Sequence, residues 1–190
     1  AGGVRTADIA QAQTAMRDTP TTGTLFINWF DRTLPAVLKG ECPGLTTQNL
    51  FDLINTGLEN PRLSTAGVRQ DLTYLRGKIA LARNQPDAAL ADFTHALDLQ
   101  LRPDVALEAA AALGAAGYPS YGLSLLDHYE AVSWKTVKPG FGMQWLHAWV
   151  LEHQHYWDHE LAHLRHQLTL DAKTGPGNTS SHTFQPSIPD

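Results

Sequence analysis

A single cysteine, Cys42, stands in the 190-residue sequence. It excludes an intrachain disulfide and a cysteine-based zinc site. Within Gly40-Glu41-Cys42-Pro43-Gly44 it reads as a small, partly buried turn residue. Charge is also scarce, at 17% of residues with a net charge of −5. The 14 Lys and Arg are scattered without a basic run, so nothing draws the chain globally toward nucleic acid. No apolar stretch approaches the ~20 residues of a membrane helix. The start, Ala1-Gly2-Gly3-Val4-Arg5, lacks the basic residues and apolar run of a signal peptide, so the compartment is left open between cytoplasm and periplasm. The missing initiator Met is read as the mark of a processed protein or an excised domain, from which an anchor or export signal could have been removed.

Several catalytic signatures are missing too. Gly114-Ala115-Ala116-Gly117 lacks the lysine and the preceding strand of a phosphate-binding loop, and no G-x-S-x-G elbow occurs. Asp98 and Asp104 read as solvated or capping carboxylates, not as an acid–base pair. Asn178-Thr179-Ser180 fits a glycosylation acceptor, which without an export signal is read as chance.

What is abundant is apolar periodicity. Hydrophobic residues make up 43% of the chain, enough for one domain or a short repeat array with a continuous core. Thr6 to Arg17 reads as a first helix, ended by Asp18-Thr19-Pro20-Thr21-Thr22-Gly23. In Leu25 to Leu38, Phe26, Phe30, Leu34 and Leu38 recur at helical spacing, with Pro35 as a kink point. Thr46 or Thr47 caps a short helix over Gln48 to Leu58. From Ala66, Val68, Leu72, Leu75, Ile79 and Ala82 lie on one face of a helix. Asn84-Gln85-Pro86-Asp87 turns the chain, and Leu90, Phe93 and Leu97 stripe the next helix. Val105 to Ala116, capped by Gly117, and Tyr121 to Ala131, with Leu125, Leu126 and Tyr129 as core candidates, form a second pair. Val132 to Gly142 is expected to be a loop. Met143 to Asp171 is expected to be a third pair, its first helix marked by Trp145, Ala148, Trp149 and Leu151 and its second by Trp157, Leu161, Leu164 and Leu168.

The run LTYLRGKIALARNQPDAALADFTHALDLQLRP, Leu72 to Pro103, carries Gly77, Ala89, Phe93 and Ala96 at intervals of 12, 4 and 3, closed by Pro103. That order resembles a tetratricopeptide repeat, a 34-residue helix–turn–helix unit. The likeness is strong over residues 70–103 and loose over 104–131 and 141–171, where Glu160 stands for Ala89 and Gln167 for Ala96. It implies an all-α, right-handed α-solenoid of helical hairpins, eight or nine helices in all. Residues 1–65 would form an N-terminal helical region, read as degenerate repeats, 66–173 the repeats and 174–190 an irregular Gly-, Pro- and Ser-rich tail. It also implies a non-catalytic protein-binding or scaffold module without a cofactor. Its partner, a protein or peptide segment, would lie in a concave groove lined by Tyr74, Lys78, Glu108, Trp145 and Trp149. Such repeats often serve bacterial membrane-associated machinery, including systems that build surface polysaccharide, so a link to a membrane protein is expected by analogy. Self-association through Leu25 to Leu38 is a further expectation, with a homodimer sensitive to polar substitution at Trp29 or Phe30.

One motif points elsewhere. His159-Glu160-Leu161-Ala162-His163 matches H-E-x-x-H, in which two imidazoles hold zinc and the glutamate acts as base. The alternative function is therefore a zinc metallopeptidase using His159, His163 and Glu160. On a helical wheel, Leu161, Leu164 and Leu168 fall within about 40° of Trp157, whereas His155, His159, His163 and His166 fall at about 160–240°. The histidines thus lie opposite the expected core. His166 is about 10.5 Å along the axis from His159, too far to be a third ligand. An exposed histidine stripe that binds metal or senses pH lies between these two readings.

Overall fold

The computed structural model of the chain describes residues 24–136 and 144–174, with side chains over 30–133 and 156–174. The helix expected over Thr6 to Arg17 and the tail after Thr174 lie outside the described residues. Within them 84% of residues are α-helical and none forms a strand. Seven α-helices follow one another: α1 Thr24–Leu38, α2 Thr47–Glu59, α3 Ala66–Ala82, α4 Pro86–Leu99, α5 Pro103–Ala115, α6 Pro119–Thr136 and α7 Gln144–Thr174. A 3-10 turn, Pro61–Leu63, links α2 to α3. The chain divides into two compact units, Ala1–Gln100 and Leu101–Asp190.

In the first unit α3 is central and packs against α1, α2 and α4. The start of α2 is set by a reciprocal cap. The Thr46 hydroxyl accepts from the backbone N–H of Asn49 at 3.2 Å, and Thr46 N–H donates to Asn49 Oδ1 at 2.9 Å. This satisfies two amides that the first helical turn leaves unpaired. α3 ends where Asn84 adopts φ +59, a left-handed conformation that asparagine tolerates better than most residues, and Gln85 N–H returns to Ala80 C=O at 2.9 Å. Pro86 then opens α4 at a position where a missing N–H costs nothing.

The contacts of α3 with α4 run in opposite directions along the chain. Gly77 lies against Phe93, while Gln70 reaches Ala96 and Gln100, so the pair is antiparallel. A Cβ at Gly77 would lie 2.6 Å from Cε1 of Phe93. The absence of that atom lets the ring fill the seam with Ala89, Ala96 and Leu97, all essentially solvent-free. Leu72, Leu75 and Ile79 complete the core from α3, with Leu50, Leu53 and Ile54 from α2 and Phe30 and Leu34 from α1. At the far end of the pair, the buried Gln70 amide donates to the carbonyls of Ala96 (3.0 Å) and Gln100. It thereby gives Ala96 C=O a second donor beside the Gln100 N–H and engages the Gln100 carbonyl just past the end of α4.

In the second unit α5, α6 and α7 pack on one another. α5 ends at Gly117, φ +89, with Tyr118 N–H bonded back to Leu113 C=O at 2.9 Å. Two differences from the sequence reading appear here. Val132 to Thr136 continues α6 instead of starting the loop. The third pair, expected as two helices over Met143 to Asp171, is one 31-residue helix. The physical reason lies in the residues between the two expected helices. Val150 to Tyr156, VLEHQHY, offers neither proline nor glycine, and none occurs from Gln144 to Thr174. Apolar spacing alone does not show a break; turn chemistry does. Leu161, Leu164 and Leu168 are buried as the wheel requires. Leu168 enters a notch that both Gly114 of α5 and Gly122 of α6 leave open.

Candidate functional site

On α3, Tyr74 and Lys78 lie one turn apart, and the structure joins them. The Lys78 ammonium sits 5.5 Å from the centroid of the Tyr74 ring, within cation–π range. It also donates to Asp31 Oδ1 of α1 at 2.7 Å. Tyr74 itself is only 8% exposed and tilts against Phe93, with ring centroids 5.6 Å apart. The hairpin core therefore supports the ring, and the ring supports the lysine. Asp31 was not among the residues singled out from sequence. It lies 47 positions before Lys78, and no local spacing announces such a pair.

Two further cations, one on α3 and one just past its end, tie its neighbours together. Arg76 makes a forked contact with Asp92 of α4, Nε to Oδ2 at 3.0 Å and Nη2 to Oδ1 at 2.7 Å, and reaches Asn55 of α2 at 3.3 Å. The fork fits the planar geometry shared by guanidinium and carboxylate. Arg83, just beyond the helix end, bonds Gln48 at 2.9 Å and lies 5.3 Å from the Phe51 ring. Phe30, one of the two positions offered for a dimer contact, is fully buried within the first unit. The side chain of Trp29 lies outside the described residues.

In the second unit Glu108 is exposed on α5. Trp145 and Trp149 fall in the first part of α7, where side chains lie outside the described residues. Further along α7, His159, His163 and His166 are exposed and Glu160 is half-buried. Glu160 Oε1 comes within 3.6 Å of His159 Nδ1. Among the described residues, no three His, Cys, Asp or Glu side chains gather around a point where an ion could sit. No helix among them is long and apolar enough to cross a membrane.

Two side chains of this unit titrate away from their usual range. Burial lowers the pKa of Arg165, but its hydrogen bond to Asp127 and the charges of Glu130 and Asp127 more than offset this, so the guanidinium is held above its ordinary value. The contacts are 2.6 Å to Asp127 and 2.9 Å to Glu130, a staple from α7 to α6. Tyr129 is pushed up, first by burial and then by the charges of Asp158 and Asp104. A phenol with a raised folded pKa keeps its proton longer in the folded than in the unfolded chain. Its contribution is complete below the unfolded pKa of about 10 and is lost as pH rises through the folded value. Tyr129→Phe is expected to flatten the alkaline fall of stability, read as urea midpoints between about pH 8.5 and 11.5.

No family model matches this chain, no curated protein matches it, and no solved structure matches it.

Proposed function

We propose that the chain is a non-catalytic protein-interaction or scaffold module, built from tetratricopeptide-like hairpins wound into a right-handed solenoid. The antiparallel α3–α4 pair carries the reading. Its small and aromatic residues, Gly77, Ala89, Phe93 and Ala96, form the seam between the helices, and the Lys78 head group is left at the surface of the first helix. In repeats of this kind the first helices face the partner. Lys78 is suited to a carboxylate, and a partner's carboxylate would take the place that Asp31 holds at 2.7 Å. Glu108, Trp145 and Trp149, in the second unit, are further proposed contact positions chosen from the sequence. By the same analogy the module serves a bacterial membrane-associated assembly, such as one that builds surface polysaccharide.

Photo-crosslinking amino acids placed in turn at Lys78, Glu108, Trp145 and Trp149, with His95 and Asp98 of α4 as controls, test this in cells of the source organism. A discrete protein adduct at the first set and none at the controls is expected. Equal labelling at both sets, or none at either, overturns the proposal. The alternative, a zinc metallopeptidase centred on His159, Glu160 and His163, predicts zinc-dependent hydrolysis of an unfolded protein that Glu160→Gln abolishes.

A further inference from the structure

The histidines of α7 have no part in the scaffold proposal, yet their arrangement is chemically specific. We infer that His159 and His163 form a surface chelate for a divalent transition-metal ion of the zinc, nickel and copper class. The two residues are one turn apart on a continuous helix. Such a spacing separates them by about 6 Å along the axis and brings both side chains onto one face. Imidazole nitrogens on adjacent turns can then reach one ion at about 2.0–2.1 Å.

The surroundings favour this use. Both side chains are exposed, His159 at 79% of its side-chain surface. The core contacts belong to Leu161, Leu164 and Leu168 on the other side of the helix. Glu160 Oε1 lies 3.6 Å from His159 Nδ1, beyond hydrogen-bond distance, and either ring nitrogen of His159 can turn to the ion. Imidazole donors select borderline ions over magnesium or calcium, which prefer oxygen. Two protein ligands leave the other positions to water, so the site is labile and differs from a closed structural zinc site. His166 is about 10.5 Å along the axis from His159 and takes no part in this pair.

The test uses the untagged 190-residue chain, titrated with zinc against a chromophoric zinc indicator. Wild type is expected to bind one equivalent. His159→Gln/His163→Gln, which keeps side-chain length at exposed positions, is expected to lose at least tenfold in affinity. His95→Gln, at an exposed histidine of α4, is expected to stay within twofold of wild type, and a large excess of magnesium should not displace zinc. Copper-loaded protein should show two equatorial nitrogens by electron paramagnetic resonance, reduced to one in His163→Gln. Unchanged zinc affinity in the double variant, or a loss in His95→Gln as large as in the double variant, overturns the inference. Glu160→Gln separates it from the peptidase alternative, since the chelate retains zinc within a few-fold while a hydrolase loses activity.

Discussion

Phe93→Ala is expected to destabilise the first unit by about 3–5 kcal/mol, the range for deleting a fully buried aromatic ring. The ring is 0% exposed, lies against Gly77 and meets Tyr74 at 5.6 Å. Its neighbours are rigid helix seams and cannot collapse far into the space it leaves. Gly77 supplies the stricter form of the test. In the wild-type chain a methyl group at Gly77 would strike Cε1 and Cδ1 of Phe93 at 2.6 and 2.7 Å. Overpacking of this kind costs about 1–3 kcal/mol. Against it stands the helix preference for alanine over glycine, about 1 kcal/mol. Gly77→Ala is therefore expected to be neutral to destabilising alone. Once Phe93→Ala has removed the ring, the same Gly77→Ala change is expected to become stabilising by up to about 1 kcal/mol. Urea melts of the two single variants and the double variant read the change of sign. Additive effects would show that Gly77 and Phe93 do not share the seam.

Leu168→Ala is expected to cost the second unit about 2–5 kcal/mol. This side chain is 2% exposed and occupies the gap beside two glycines on different helices. Those glycines should respond differently to its loss. A Cβ at Gly114 would meet only the Leu168 side chain, whereas one at Gly122 would also lie 2.8 Å from the backbone carbonyl oxygen of Ala110. In the Leu168→Ala background, Gly114→Ala should turn favourable by up to about 1 kcal/mol. Gly122→Ala should stay destabilising by about 1–3 kcal/mol, since a carbonyl held within α5 has nowhere to retreat. If both glycine changes are relieved alike, α5 and α6 are not packed as closely as described.

The elements most legible in the sequence were those with both periodicity and punctuation. α3 and α4 carry a full apolar stripe, a turn at Asn84 to Pro86 and small residues at the seam, and they form the antiparallel pair expected of them. Over α7 only the stripe was present. Leu161, Leu164 and Leu168 were placed correctly on the buried side, but a joint was inferred where nothing breaks the helix. Long-range polar partners were not legible. Asp31 with Lys78, Arg76 with Asp92 and Arg165 with Asp127 are separated by 47, 16 and 38 positions, and tertiary packing alone brings them together. Gln70 was hidden for another reason: an amide within an apolar stripe looks out of place until the carbonyls of Ala96 and Gln100 arrive from α4.

The unbroken course of α7 has a mechanical consequence. Thirty-one residues make a rod about 46 Å long, with no hinge between Trp145 at one end and Lys173 at the other. Helical hydrogen bonding is cooperative, so clamping any one turn also suppresses fraying in the turns beside it. An ion bridging two imidazoles midway along the rod would be felt as stiffness by the tryptophan-bearing turns, though it touches none of them.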